Sequence, residues 1–188
     1  MEAPDPSAIL ELPDVDAWDA WLSANHDRAG QAWLRIGRKG ADVPLLGIAD
    51  ALDAALCWGW IDGQRRGLDD VSFLQRYCPR RPRSAWSRIN VGKVEALLAA
   101  GRMREPGLAQ VAAARADGRW AAAYERQATA EPPADLLAAL AADPAARAAF
   151  DSLGRTDRYL VILALAKART PAARARVLAG AIDRLAGR

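Results

Sequence analysis

Seven arginines stand between Gln64 and Asn90: Arg65, Arg66, Arg76, Arg80, Arg81, Arg83 and Arg88. Only Asp69 and Asp70 oppose them, a local charge of +5 in a chain whose total is +3. Lys39, Lys93 and Lys167 are the only lysines, so nearly all of the positive charge is guanidinium. That group is planar and suits a two-pronged grip on carboxylate or phosphate. Pro79 and Pro82 stiffen the Pro-Arg-Arg-Pro-Arg bend, because each ring fixes its own φ. Beyond the bend, Ser84, Trp86, Ser87 and Asn90 fall at an expected helix start, where hydroxyls and free backbone N–H groups also favour an anion. The candidate ligand-binding set is therefore Asp62, Gln64, Arg76, Arg80, Arg81, Arg83, Ser84, Trp86 and Asn90. Of these, Arg76, Arg80, Arg81, Arg83, Ser84, Trp86 and Asn90 are expected to line a groove between an α+β half and a helical half, taking an anionic small molecule or an acidic partner. The bland alternative is that the arginines lie on a solvated face or pair with Asp62, Asp69, Asp70 and carboxylates further along, where each exposed pair is worth little.

Other chemistries have weaker grounds. Trp58, Trp60 and Trp86 could form a stacking floor for a flat ligand, although large aromatics mostly serve burial. Neither a recognition helix nor paired aromatic strands is evident, which argues against nucleic acid. Asp62 with Asp69 or Asp70 could supply paired carboxylates, so a small hydrolase or transferase gripping an anionic substrate is the competing expectation; turn chemistry explains the same aspartates. Ser84 and Ser87 lack the spacings of serine nucleophiles, and no glycine-rich phosphate loop follows a strand. Cys57 falls in an apolar helix that should raise its pKa and blunt it. With His26 the sole histidine and two unpatterned cysteines, the usual zinc sites and histidine-based triads have no material unless His26 itself serves. No metal and no cofactor are expected, and a non-enzymatic binding module is preferred.

The elements that must position these residues follow from periodicity. With 52% hydrophobic and 26% charged residues, the chain has the composition of a folded protein. Its longest apolar run, Tyr159 to Ala166, is far short of the ~20 residues of a bilayer span. Met1 to Leu12 lacks the pattern of an export signal, so the cytoplasm is the expected location. Asp14 should cap a helix with Val15, Trp18, Trp21 and Leu22 on one face. Gln31 to Gly37 alternates as a half-buried strand, Arg38 to Pro44 is a loop, and Ile48 to Cys57 is a second helix. Gly59 and Gly63 are expected turn points, followed by a hairpin of Gln64 to Arg66 and Val71 to Cys78 that Pro79 and Pro82 stop. Past Ser84 only helices are predicted: Val91 to Ala100, Gly107 to Ala116, Ala134 to Ala142, Pro144 to Phe150, and two more capped by Thr156 and Thr170. The expected class is α+β, a small antiparallel sheet packed by two helices over residues 1–90 and an all-helical region over 91–188. Oligomeric state is left open, and a structural or protein-interaction module is a third possibility if the C-terminal helices expose an apolar patch.

The stretch Ala55-Leu56-Cys57-Trp58-Gly59-Trp60-Ile61-Asp62-Gly63-Gln64, with Leu74-Gln75-Arg76-Tyr77-Cys78-Pro79-Arg80-Arg81-Pro82-Arg83-Ser84-Ala85-Trp86-Ser87, resembles the bacterial YdeI/OmpD-associated, or bacteriocin-protection, family. Gly101-Arg102-Met103, Asp117-Gly118-Arg119-Trp120 and the helices of Phe150 to Leu185 look like that family too, so the resemblance runs from about Trp18 onward. One departure lies at Gly47-Ile48-Ala49, where the pattern would have a polar helix cap. The resemblance implies a loose link to protection against bacteriocins and antimicrobial peptides and to envelope stress. It carries no catalytic set across, and no periplasmic role is taken from the family's name.

Overall fold

The computed structural model describes residues 5–168 and 170–188; the first four residues of the Met1–Leu12 stretch fall outside them. The chain forms two compact units, one of Met1–Ser84 with Asn90–Trp120 and one of Ala85–Ile89 with Ala121–Arg188. The first unit holds the whole sheet, and the second is helical.

Helix α1 (Val15–Asn25) starts where expected, because the Asp14 carboxylate accepts the otherwise orphaned Ala17 N–H at 2.9 Å. Helix α2 (Ile48–Cys57) has the predicted bounds although Gly47 offers it no side-chain cap. Four strands, β1 (Ile9–Glu11), β2 (Ala32–Gly37), β3 (Trp60–Gly67) and β4 (Ser72–Pro79), form one sheet in the order β1-β2-β4-β3. β3 and β4 pair antiparallel, as the hairpin pattern predicts, and β2 pairs antiparallel with β4. β1 was not expected as a strand; it joins β2 in parallel, which makes the sheet mixed. β3 also begins earlier than its predicted start at Gln64. Gly59, at φ 74°, makes the sharp turn out of α2, whereas Gly63 lies inside the strand.

Residues paired across antiparallel strands share a face. One face therefore carries Leu34, Ile36, Phe73, Tyr77 and Trp60, and it packs with Trp18, Leu22, Ala51, Ala54 and Ala55 of α1 and α2 into a single core. The indole N–H groups find backbone acceptors there: Trp18 Nε1 donates to Ala51 O at 3.1 Å, and Trp60 Nε1 to His26 O at 3.2 Å. The opposite face carries Trp33, Arg35, Leu74, Arg76, Cys78, Ile61 and Arg66. Trp33 and Leu74 are buried too, so β2 is not the half-buried strand its alternation suggests; the Arg66 guanidinium lies 5.9 Å above the Trp33 ring.

The pairing of β3 with β4 contains an irregularity between Asp62 and Arg65. The side chain of Gln75, 2% exposed, fills it. Its Nε2 donates to the carbonyls of Gly63 (3.1 Å) and Gln64 (3.2 Å), and its Oε1 accepts from Arg65 Nε at 3.2 Å. A buried amide must find partners for both ends, and here those partners are the bulged strand itself.

Helix α3 (Arg88–Ala99) begins earlier than Val91, so Asn90 lies in its first turn and does not cap it. Helix α4 (Glu105–Ala116) starts ahead of the predicted Gly107 and carries Pro106 in its first turn. The second unit holds α5 (Ala134–Ala142), α6 (Pro144–Ser152), α7 (Arg155–Lys167) and α8 (Pro171–Leu185) around Leu136, Leu140, Ala146, Phe150 and Leu165. Thr170 caps α8 through Ala173 N–H. Thr156 does not cap α7: it lies inside that helix, whose capping position is Gly154. No helix among the described residues is long and apolar enough to cross a membrane.

Two stability outcomes follow. At Gly107 an added Cβ would stand 2.2 Å from the Cys57 carbonyl oxygen and 2.8 Å from its carbon, while at Gly92 it would meet nothing within 4 Å. Gly107→Ala should cost about 3 kcal/mol or more in denaturant unfolding, whereas Gly92→Ala, in α3, should gain about 1 kcal/mol. Arg174 donates to both oxygens of Asp135 (2.6 and 2.9 Å), which holds that carboxyl below its ordinary value. The stabilisation is complete above the unfolded carboxylate range and is lost as pH falls through the lowered pKa. Asp135→Asn should accordingly flatten the acid limb of a stability–pH curve and leave the alkaline limb unchanged.

Candidate functional site

The β4 register brings part of the arginine segment to one place. Ile61 pairs with Cys78, and Arg76 lies two residues before Cys78 on the same face. These three form the floor of a pocket of about 340 Å³ within the first unit. Pro79 and Pro82 wall it, and Arg81, Arg83 and Ser84 complete its lining.

The bend is a tight turn. Ser84 N–H donates to Arg81 O at 3.0 Å, with Pro82 and Arg83 between them and Arg83 at φ 65°. Proline followed by a positive φ is the type II arrangement, in which glycine or asparagine ordinarily takes Arg83's place. Arg83 is the one non-glycine residue with positive φ among those described. Two contacts fix the turn at its ends. Arg80 N–H donates to Gly59 O at 3.0 Å. Arg119 Nη1 donates to Ser84 O at 3.0 Å, and the Arg119 side chain, 6% exposed, is held by Asp117 at 2.8 Å.

Arg76, Arg81 and Arg83 form no side-chain ion pair or hydrogen bond among the described residues, and the pocket lining includes no carboxylate. Arg76 Nε is buried without an acceptor among those residues. Several other arginines are paired with acids: Arg35 with Glu11 and Asp69, Arg104 with Asp19, Arg174 with Asp135. Three guanidinium groups around one hollow make it a place where an anion can replace lost water with charge-assisted hydrogen bonds.

The remaining candidates lie elsewhere. Arg80 is 5% exposed, engaged within the fold, and does not line the pocket. Trp86 is 2% exposed and belongs to the second unit, and Asn90 is buried in α3. Gln64 lies in the bulge held by Gln75. Asp62 pairs with Tyr77, on the helix-packed side of β3 and opposite to Ile61. Asp69 anchors the hairpin turn, accepting from the Val71 and Ser72 N–H groups, the Ser72 hydroxyl and Arg35. These bonds, the Ser72 hydroxyl first, hold its carboxyl below the ordinary value.

Trp60 is core, and half-buried Trp58 donates to Asp19 at 2.7 Å. His26 packs its ring 4.7 Å from Trp58 with Nδ1 3.1 Å from Leu22 O. Cys57 and Cys78 are free thiols, and burial pushes the Cys57 thiol up. Ile61 and Cys78 belong to the pocket and were not singled out from the sequence; two-residue alternation along β4 is the signal that could have placed Cys78 beside Arg76. Arg119 falls in the Asp117–Trp120 stretch that looks like the resembled family, but its contact with Ser84 spans 35 residues and no local pattern shows it.

Residues 10–110, more than half of the chain, match the model of a domain of unknown function (DUF8412), and the chain belongs to that family. Residues 129–187 match the model described as bacteriocin-protection, YdeI or OmpD-associated. The family that the sequence resembles is thus met in the C-terminal helices, while the Trp-Gly-Trp and Pro-Arg-Arg-Pro segments fall under the other model. No curated protein and no solved structure matches the chain.

If the bend stores strain at Arg83, relieving it should be measurable. Arg83→Gly removes an αL penalty of about 1–2 kcal/mol but loosens the unfolded chain, for an expected net gain of roughly 0.5 kcal/mol. Arg83→Val, β-branched at positive φ, should instead lose about 1 kcal/mol or more in the same denaturant titration.

Proposed function

We propose that this member of a family of unknown-function domains is a non-enzymatic module that binds an anionic ligand in the pocket formed by Arg76, Arg81 and Arg83. The observation that carries the proposal is the three guanidinium groups, without internal acids, around one hollow. Ser84 and the strained turn support it, since a backbone held in a costly conformation at a polar loop points to use of the side chain it presents. The bacteriocin-protection match of residues 129–187 supports a protection-like setting for that binding. The competing view, a hydrolase or transferase with Asp62 as acid or base, needs Asp62 within reach of the same anion; its place across the strand from Ile61 lends that view no support.

Titration calorimetry with inorganic phosphate tests the proposal. An Arg76→Ala/Arg81→Ala/Arg83→Ala variant should bind at least about tenfold more weakly than the parent, one charge-assisted bond alone being worth that much. The parent's affinity should also fall as salt rises, because Arg81 and Arg83 are exposed and ions screen them. Equal affinity of variant and parent would refute the proposal.

A further inference from the structure

The walls of the arginine pocket limit what an anion bound there can carry behind its charged group. Apart from the three guanidinium groups, the lining is Ile61, the rings of Pro79 and Pro82, the Cys78 thiol and a single hydroxyl, that of Ser84. Ile61 and Cys78 are cross-strand partners, so their side chains make a continuous, weakly polar floor beside Arg76. A ligand hydroxyl pressed onto such a floor loses its water and gains no amide, carboxylate or second hydroxyl in exchange, which is a net cost. A C–H surface in the same place gains from leaving water. Guanidinium planes also stack on flat rings, so the charged rim does not oppose an aryl body. The volume, about 340 Å³, lies at the small end of ligand pockets and holds a compact body, not an extended one.

We infer that the pocket takes a small organic oxyanion with a compact apolar body, an aryl or short-alkyl phosphate or carboxylate, in preference to inorganic phosphate and to phosphorylated sugars. This rests on the anion-binding proposal above and adds the part of the ligand that the guanidinium groups do not touch. A lipid headgroup shares the oxyanion chemistry, but the compact hollow and the absence of a long apolar channel from its lining favour a soluble molecule.

Cys78 supplies a reporter on the pocket floor, since it is part-exposed while Cys57 is buried with its thiol pushed up. The full chain is treated with iodoacetamide and alkylation of Cys78 is followed by mass spectrometry, with Cys57 as internal reference. Phenyl phosphate, benzoate, inorganic phosphate, glucose 1-phosphate and phosphatidylglycerol vesicles are the probes, each also titrated calorimetrically. Phenyl phosphate is expected to half-protect Cys78, and to bind, at a concentration about tenfold lower than inorganic phosphate, with benzoate also protecting and glucose 1-phosphate no better than inorganic phosphate. Ile61→Asn should lower the affinity for phenyl phosphate more than that for inorganic phosphate, with the denaturant midpoint showing that the variant is folded; an equal loss for both probes in a folded variant would overturn the inference.

Equal binding of phenyl and inorganic phosphate, or tighter binding of the sugar phosphate, would overturn this inference and leave the anion site standing. Protection by vesicles alone would overturn it in favour of a membrane surface. Failure of every probe, in both readouts, would overturn this inference and the anion proposal together.

Discussion

The pairing of β3 with β4 is the constraint on which the rest depends. Shifting a strand by one residue exchanges its two faces, and here that would send Arg76 and Cys78 into the helix-packed core and bring Tyr77 out of it. The buried amide of Gln75 opposes such a slip, because its Oε1 accepts from Arg65 and its Nε2 donates to the Gly63 and Gln64 carbonyls of the bulged segment as well as to Arg76 O of its own strand. Core packing acts in the same direction: Phe73 and Tyr77 are both locked among the residues of α1 and α2. One polar side chain and two aromatic rings therefore decide which arginines face the pocket.

That geometry gathers three arginines at one hollow and leaves others to the fold. Arg35, Arg104, Arg119 and Arg174 are tied to named carboxylates and serve the fold. Arg76, Arg81 and Arg83 have no such tie among the described residues, and Arg119 spends one of its donors on the carbonyl that ends their turn. A backbone penalty at Arg83, set against a proline that preorganises the preceding residue, is an arrangement that selection for stability alone would remove by placing glycine there.

Much of this was legible in the sequence because it is local. Asp14 announced α1, Thr170 announced α8, and the apolar spacing of Ile48 to Cys57 gave α2 its ends even without a cap. What escaped depended on distant partners. Ile9 to Glu11 becomes a strand only because β2 offers a free edge, and Trp60 to Asp62 extends β3 only because Pro79, Cys78 and Tyr77 lie opposite. The site shows the same division. Charge and the two prolines pointed to the segment that lines the pocket, yet composition cannot say that Arg80, Trp86 and Asn90 turn inward while Arg76, Arg81 and Arg83 stay together; burial decides that, and burial is a property of the whole unit.

A crystal grown or soaked with tungstate would examine the central claim most directly, since the heavy oxyanion is located by its own anomalous signal. Tungstate is expected between the prolines, within hydrogen-bond reach of at least two among Arg76, Arg81 and Arg83. Tungstate bound at other basic positions with this pocket empty at full occupancy elsewhere, or the three guanidinium groups turned onto acidic side chains, would contradict it.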